Sequence, residues 1–213
     1  MSRGMKLVIS NKSIRWALRG TQRVLFACAA VLLGYCAFVL LDAWIFQHRE
    51  KQNLERLLQQ ENQAKNAHPQ TAALPVALPP AIGPDGLIGR IEIVRVGVSA
   101  VVVEGTTKSI LRRAAGHIVG TALPGQRGNV GIAAHRDTFF RPLRNIQRDD
   151  VIVLTTLRGE YRYRVVSTKV VSPYDVEVLN SDGTEILTLV TCYPFYFVGS
   201  APERFIVRAE RIA

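Results

Sequence analysis

An uninterrupted apolar stretch is the feature that most constrains how this chain can fold. Residues 24–41 contain no charged side chain, and after Asp42 the apolar pattern continues to Phe46. As a helix, residues 24–46 would be roughly 34 Å long, enough to cross a hydrocarbon core of about 30 Å. A buried core helix would have a polar face, and a cleaved signal peptide would have a shorter apolar region before a small-residue cleavage site. Neither pattern is present, so we predict an uncleaved transmembrane anchor.

The charge distribution predicts the orientation of that anchor. The chain has 27 Lys and Arg residues against 17 Asp and Glu residues, a formal net charge of +10. Residues 1–23 carry basic side chains and no acidic one, and Lys and Arg favour the cytoplasmic side of a membrane. We therefore predict a cytoplasmic basic segment over residues 1–23, a plasma (inner) membrane span over 24–46, and an extracytoplasmic remainder.

The part of the chain that follows the anchor has nearly balanced charges. It shows no zinc-ligand spacing and no basic stripe interleaved with aromatic residues. We therefore predict no nucleic-acid partner, in spite of the high net charge.

Residues 47–86 have the composition of a connecting segment. Residues 47–68 are rich in helix-forming residues, with Leu54, Leu57 and Leu58 as the apolar stripe, which predicts a solvated helical stalk that could self-associate through these leucines. Residues 69–86 are rich in proline, which predicts an extended spacer.

The remaining residues, 87–213, form short β-type runs separated by turn signals. Seven runs are evident: residues 87–97, 100–105, 128–135, 150–156, 160–171, 185–192 and 204–211. Short helices are predicted only over 107–115 and 142–147. This pattern indicates a mainly β domain that closes into a single barrel of seven or eight strands.

Cys192 is the single cysteine of this domain, because Cys28 and Cys36 lie in the apolar stretch. A lone cysteine in a disulfide-forming compartment is either a small buried apolar residue or a reactive thiol. Cys192 ends an apolar strand pattern and precedes Tyr193-Pro194, where proline ends strand pairing. This position at the edge of a barrel favours the reactive thiol.

Two other residues that could take part in catalysis also lie at ends of β-type runs. His135 follows the run GNVGIAA, and Arg204 begins the run RFIVRAER. A thiolate can attack a carbonyl, an imidazole can exchange protons with the thiol or the leaving amine, and a guanidinium can stabilise an oxyanion. Together the three residues suggest acyl transfer.

The sequence around these residues resembles the sortases, which are membrane-anchored cysteine transpeptidases. TLVTC at residues 188–192 matches the TLxTC signature of this family. GIAAHRDTFFRPL resembles its catalytic histidine segment, and Arg204 matches its active-site arginine. HRDTFFRPL together with TCYPF and RFIVRAER is most similar to the class D branch.

The resemblance implies a closed eight-stranded barrel and a transpeptidase mechanism. Cys192 would cleave an LPxTG-like C-terminal sorting signal through a thioester, with His135 as acid and base and Arg204 as oxyanion stabiliser. An amine in the cell envelope, or a pilin lysine, would accept the acyl group. Thr191 would support the site through its hydroxyl. The partners implied are secreted proteins with such sorting signals, and no cofactor is implied. Some sortases use calcium, but the acidic residues here are scattered in sequence, so we predict no metal site.

Other interpretations remain open at this stage. Asp137 either orients His135 or caps a turn, and His117 is either a second titrating group or a structural histidine. The aromatic residues Phe139, Phe140, Phe195 and Phe197 either line a substrate groove or pack in the core. The domain could also be a thiol peptidase that only hydrolyses, or a non-catalytic barrel that binds the envelope.

Overall fold

A computed structural model describes residues 11–67, 82–181, 183–197 and 199–212 of the chain. These described residues include two α-helices, α1 (Asn11–Ala67) and α2 (Lys108–Arg113). The strands are β1 (Leu87–Ile93), β2 (Val98–Glu104), β3 (Ala115–His117), β4 (Gly128–Ala133), β5 (Val151–Thr156), β6 (Gly159–Val171), β7 (Glu185–Tyr193) and β8 (Glu203–Ile212). Most of the predicted proline-rich spacer, and residues 1–10 of the basic segment, lie outside the described residues.

The eight strands form one closed barrel in the order β1-β2-β3-β4-β7-β8-β6-β5, and β5 pairs back with β1. Neighbouring strands are antiparallel except for two parallel pairs, β2 with β3 and β4 with β7. The predicted mainly β barrel with few helices is therefore confirmed.

Alternate side chains of the strands fill the barrel interior, as expected for strands with one buried face. The interior cluster is aliphatic with a few aromatic residues, and includes Ile91, Val130, Ile132, Leu154, Tyr163, Leu187, Leu189 and Val207. This packing fixes which residues of each strand face outward, and the site described below uses the outward set.

The strand that the sequence did not reveal is β3. It is only three residues long, Ala115–His117, and follows directly after α2. The predicted helix over 107–115 is shorter in the structure: Thr107 caps its first turn by accepting a hydrogen bond from the Ile110 N–H, and Ala114 is extended. A strand of three residues is too short to show periodicity in sequence.

The predicted anchor is helical. Among the described residues, one helix is long and apolar enough to cross a membrane, Leu18–Gln60, with a mean hydropathy of 2.7 in its most apolar window. The chain divides into two compact units between Asp42 and Ala43, so α1 contributes to both.

Within the second unit, the leucine stripe of the predicted stalk packs on the barrel. Leu54 is 3% exposed and lies in a buried cluster separate from the barrel interior, with Leu57 and Leu58 packed against it. The barrel residues of this cluster are Leu87, Val101, Val103, Ala114 and Leu157. The prediction of a solvated stalk that self-associates through its leucines is thus corrected: these leucines are occupied by the chain's own barrel.

Gln47 attaches the same part of α1 by hydrogen bonds. Its side-chain nitrogen donates to the Arg113 carbonyl at 2.6 Å, and its side-chain oxygen accepts from the Val101 N–H at 2.8 Å. The helix segment therefore satisfies backbone groups of the barrel as well as covering its apolar surface.

We predict that Leu54→Ala destabilises the barrel. Removing this buried side chain should lower the free energy of unfolding by about 2–4 kcal/mol, because apolar burial is lost and a cavity remains. Thermal unfolding of the full chain in detergent micelles measures the effect. Gln59→Ala, on an exposed position of the same helix, is the matched control, and equal melting temperatures for both variants would contradict the docked arrangement.

Glu50 is buried on the part of α1 that packs against the barrel, and its carboxyl should make the folding stability depend on pH. Burial raises the pKa of its carboxyl above the ordinary 4.5, and the negative charge of Asp85 raises it further, whereas a hydrogen bond with Asn53 opposes the shift. The folded state therefore favours protonated Glu50. The stability that this preference provides is present in acid and is lost as the pH rises through the raised pKa.

We therefore expect Glu50→Gln to raise the melting temperature more at pH 7 than near pH 4, because the folded state disfavours the charged carboxylate. Glu55→Gln, at an exposed position one turn further along, is the control and should change the melting temperature little at either pH. An equal effect of Glu50→Gln at both pH values would show that the carboxylate charge is not responsible.

Candidate active site

The site is formed where two parallel strands end side by side. β4 and β7 pair in register from Gly128 with Glu185 to Ala133 with Val190. The Ala134 N–H then donates to the Val190 carbonyl at 3.2 Å, which extends the pairing one step beyond β4. Because parallel strands end at the same edge of a sheet, this register brings the backbones of His135 and Cys192 next to each other.

β8 brings the third predicted residue to the same edge. It is antiparallel to β7, and its register pairs the Cα atoms of Cys192 and Arg204. We call the ends of β4 and β7 with the beginning of β8 the site edge. His135, Cys192 and Arg204 therefore lie on three adjacent strands or strand extensions, with Cys192 in the middle.

The environments of these residues differ. Cys192 is a free thiol and is half-buried, whereas the His135 side chain is exposed. The His135 carbonyl accepts a hydrogen bond from the Phe140 N–H at 3.1 Å, and the Phe140 side chain is fully buried in the core. A buried aromatic ring thus fixes the turn that presents His135 to solvent.

The Arg204 side chain forms hydrogen bonds with the backbone just before it in the chain. Its Nη1 donates to the Ala201 carbonyl at 3.2 Å and to the Glu203 carbonyl at 2.9 Å. A guanidinium has five N–H donors, so these two bonds leave donors on Nε and Nη2 for other acceptors.

Thr191 connects the two parallel strands. Its side chain is buried, and its hydroxyl donates to the Ala134 carbonyl at 2.8 Å. That carbonyl belongs to the peptide bond that precedes His135. Thr191 therefore holds the backbone at His135 against the backbone at Cys192.

Small side chains form an outward-facing floor that leads to the site edge. Val130 and Ile132 face the barrel interior, so Gly131 and Ala133 face outward, and they pair with Thr188 and Val190 of β7. A Cβ atom at Gly131 would lie 3.1–3.2 Å from side-chain atoms on Ile118, Thr121 and Leu179. Because Gly131 is itself buried, these side chains already cover the floor at that point, and the floor is open only nearer the site edge, where Ala133 and Val190 are partly exposed.

A buried hydrogen-bond network next to this floor holds the connection between β6 and β7, and the sequence does not reveal it. The Thr188 hydroxyl donates to Asn129 Oδ1 at 2.8 Å, and Asn129 Nδ2 donates to the carbonyls of Val178 and Asn180 at 3.1 and 3.2 Å. Both side chains are buried. These hydrogen bonds attach the β6–β7 connection, which contains a 3₁₀ turn at Val176–Leu179, to β4 and β7.

Asp137 lies beside Arg136. Its carboxylate lies 3.6 Å from Arg136 Nε and its side chain is 69% exposed. Among the described residues it forms no hydrogen bond with the His135 ring, so this arrangement does not place it as the group that orients the imidazole.

His117 has the environment of a structural histidine. Its ring is buried, with Nδ1 2.7 Å from Glu104 Oε2 and Nε2 2.9 Å from the Ala122 carbonyl. Both ring nitrogens are thus occupied by neighbours within the domain.

The four aromatic residues near the site divide between core and surface. Phe140 is fully buried, Phe139 and Phe195 are partly buried against the core, and Phe197 is exposed. Most of the set therefore packs, and Phe197 remains available at the surface.

Arg136 is a further site residue that the sequence gives little reason to select. It is 5% exposed, although arginine is usually a surface residue, and it donates to three backbone carbonyls of the loop that follows β7. In sequence it looks like one more charged loop residue.

Comparisons with known proteins agree with this geometry. The sortase domain family model matches residues 91–212. Sortase D of Bacillus subtilis is 30% identical over 195 residues, which is 88% of this chain and 96% of that protein. Sortase A of Listeria monocytogenes is 31% identical over 112 residues, or 51% of this chain and 50% of that protein.

Solved structures show the same fold. A Clostridium perfringens sortase D5 transpeptidase superposes with a TM-score of 0.58 at 31% identity, over 77% of this chain and 98% of that chain. A sortase C from Clostridium perfringens SM101 gives 0.56 at 30% identity, over 78% and 90%. The resemblance drawn from TLVTC and the histidine segment is confirmed.

We predict that Cys192 reacts selectively with a charged, membrane-impermeant thiol reagent on the folded chain in lipid vesicles or nanodiscs. It is half-buried at a strand end, whereas Cys28 and Cys36 lie in the apolar segment. Peptide mass spectrometry would locate the label, and Cys192→Ala should abolish it. Labelling of Cys192 only after unfolding would contradict the prediction.

Proposed function

The chain belongs to the sortase family of cysteine transpeptidases, and we propose that Cys192, His135 and Arg204 are its catalytic residues. The proposed substrate is a secreted protein with an LPxTG-like C-terminal sorting signal. The proposed product is that protein joined to an amine of the cell envelope or to a pilin lysine. The observation that carries the proposal is the position of Cys192 between the end of β4 and Arg204 on β8.

The first half of the proposed reaction forms a thioester. The Cys192 thiolate attacks the carbonyl carbon of the threonine in the sorting signal, and the negative charge moves to the carbonyl oxygen. Arg204 stabilises this oxyanion with a permanent positive charge. His135 then donates a proton to the departing amine as the peptide bond breaks.

The second half transfers the acyl group. An acceptor amine attacks the thioester, His135 removes its proton, and the Cys192 thiolate leaves. Exposure of His135 is compatible with this role, because the residue has to meet two successive amines at the surface. Water in place of the amine would give hydrolysis.

Thr191 is proposed as a supporting residue of this reaction. Its hydroxyl bonds the Ala134 carbonyl, so it sets the separation of the backbones that carry His135 and Cys192. Errors of about 1 Å in such a separation can cost about a hundredfold in rate. For Asp137 we retain only an indirect role, through its contact with Arg136.

The part of the outward floor next to the site edge supports binding of an extended peptide. Ala133 and Val190 are partly exposed there and leave room for a backbone, whereas Ile118, Thr121 and Leu179 already cover the buried Gly131. The floor ends at Cys192, so a peptide that lies along it would present a carbonyl to the thiol.

The proposed organisation follows the predicted segments. Residues 1–23 are a cytoplasmic segment, 24–46 a single membrane span, 47–86 a connection to the catalytic domain, and 87–213 the domain outside the plasma membrane. The basic residues before the apolar stretch support this orientation. Residues 47–58 contribute to the stability of the catalytic domain because they pack against it.

The full chain in detergent micelles, incubated with an LPxTG-type peptide and an amine acceptor, should form an acyl-enzyme of the expected mass on Cys192 and then the amide product. Cys192→Ala should abolish both species, and His135→Ala and Arg204→Ala should lower kcat/KM by at least about a hundredfold.

Cys28→Ala is the matched control because it removes a cysteine outside the proposed site, and it should be fully active. If the peptide is only hydrolysed, whatever amine is supplied, the protein is a thiol peptidase and not a transpeptidase. Activity in Cys192→Ala would overturn the assignment of the nucleophile.

A further inference from the structure

Arg136 is a buried charge whose hydrogen bonds all go to one loop. Nη1 donates to the Pro194 carbonyl at 2.8 Å, and Nη2 donates to the carbonyls of Phe197 and Gly199 at 2.5 and 3.1 Å. The guanidinium also lies 5.9 Å from the centre of the Phe197 ring, within the range of a cation–π contact. These acceptors all belong to the connection between β7 and β8, which we call the β7–β8 loop.

This arrangement is unusual for a residue that serves packing alone. Burying a guanidinium removes its hydration, and the hydrogen bonds that compensate come from neutral carbonyls, while the exposed Asp137 carboxylate lies 3.6 Å from Nε. Nε is buried without a hydrogen-bond partner among the described residues. The planar fork of arginine reaches several separate acceptors, which the single ammonium of lysine does not reproduce.

Arg136 is linked to all three proposed catalytic residues, by sequence to His135 and through the β7–β8 loop to Cys192 and Arg204. It directly follows His135 in sequence. The loop that it holds begins at Pro194, two residues after Cys192. The same connection includes Ala201, whose carbonyl accepts a hydrogen bond from Arg204 Nη1 at 3.2 Å. A displacement of the loop would therefore reach both Cys192 and Arg204.

We propose that Arg136 is a positioning residue of the transpeptidase site. It does not contact the reacting atoms. It clamps the β7–β8 loop to the histidine segment, and thereby sets the relative placement of His135, Cys192 and Arg204. This inference rests on the proposed function, since it concerns the geometry of that site.

Arg144 provides the matched control. It also approaches the loop, with its guanidinium 5.7 Å from the centre of the Tyr196 ring, but it is exposed, as is Tyr196. Exposed contacts of this kind contribute little because water competes for the charge. Its removal should leave the loop in place.

The test compares Arg136→Met, Arg136→Lys and Arg144→Met in the full chain in detergent micelles. Steady-state kinetics with an LPxTG-type peptide separate kcat from KM, and hydrogen exchange measured by mass spectrometry follows the peptide that contains residues 194–199. Arg136→Met should lower kcat about 10- to 100-fold with a smaller change in KM, because the loss falls on alignment rather than on substrate contact.

Exchange should accelerate in the β7–β8 loop of Arg136→Met while β4, β7 and β8 keep their protection. Arg136→Lys should fall between the wild type and Arg136→Met in both measurements, and Arg144→Met should match the wild type. If Arg136→Met fails to fold, the same comparison of Arg136→Lys with the wild type decides the question.

Two results would overturn the clamp. One is acceleration of exchange across the whole barrel without a local change in the loop, which would make Arg136 a stability residue only. The other is wild-type kcat and wild-type loop exchange in Arg136→Lys or Arg136→Met. A wild-type chain that forms no thioester would overturn the proposed function instead, and the exchange comparison would still decide whether Arg136 holds the loop.

Discussion

The parallel pairing of β4 with β7 is the interaction on which the site depends. Residues 128–133 and 185–190 are distant in sequence, and their register alone determines which residues come out together at the site edge. A shift by one residue would turn Gly131 and Ala133 into the interior and carry Val130 and Ile132 outward. The aliphatic interior therefore helps to keep His135 beside Cys192, because it penalises a one-residue slip that would separate them.

Buried polar side chains then fasten the loops that the barrel leaves open. Asn129 and Thr188 hold the β6–β7 connection, Thr191 joins the two parallel strand ends, and Arg136 holds the β7–β8 loop. All four lie on or next to β4 and β7 and are buried. Loops that are already held in place by buried hydrogen bonds have little conformational entropy left to lose when a ligand binds.

Much of the fold could be predicted from the sequence because its signals are local. Seven of the strands match apolar or alternating runs, and the cap at Thr107 and the apolar helix match standard patterns. The three-residue β3 could not be found in this way. The contact of α1 with the barrel could not be predicted either. Leu54, Leu57 and Leu58 show only that one helix face is apolar, and a second helix or a barrel surface can cover that face equally well.

The sequence by itself determined the long apolar helix, the strand content and the placement of Cys192, His135 and Arg204 at ends of β-type runs. These properties depend on hydrophobic periodicity and on short motifs, which neighbouring residues encode. Tertiary structure decided which strand ends meet, that Asp137 approaches Arg136, and that Arg136 is buried beneath the β7–β8 loop. Those outcomes depend on pairings across some 60 residues of chain, where the partner is chosen by the packing of the whole barrel rather than by any local pattern.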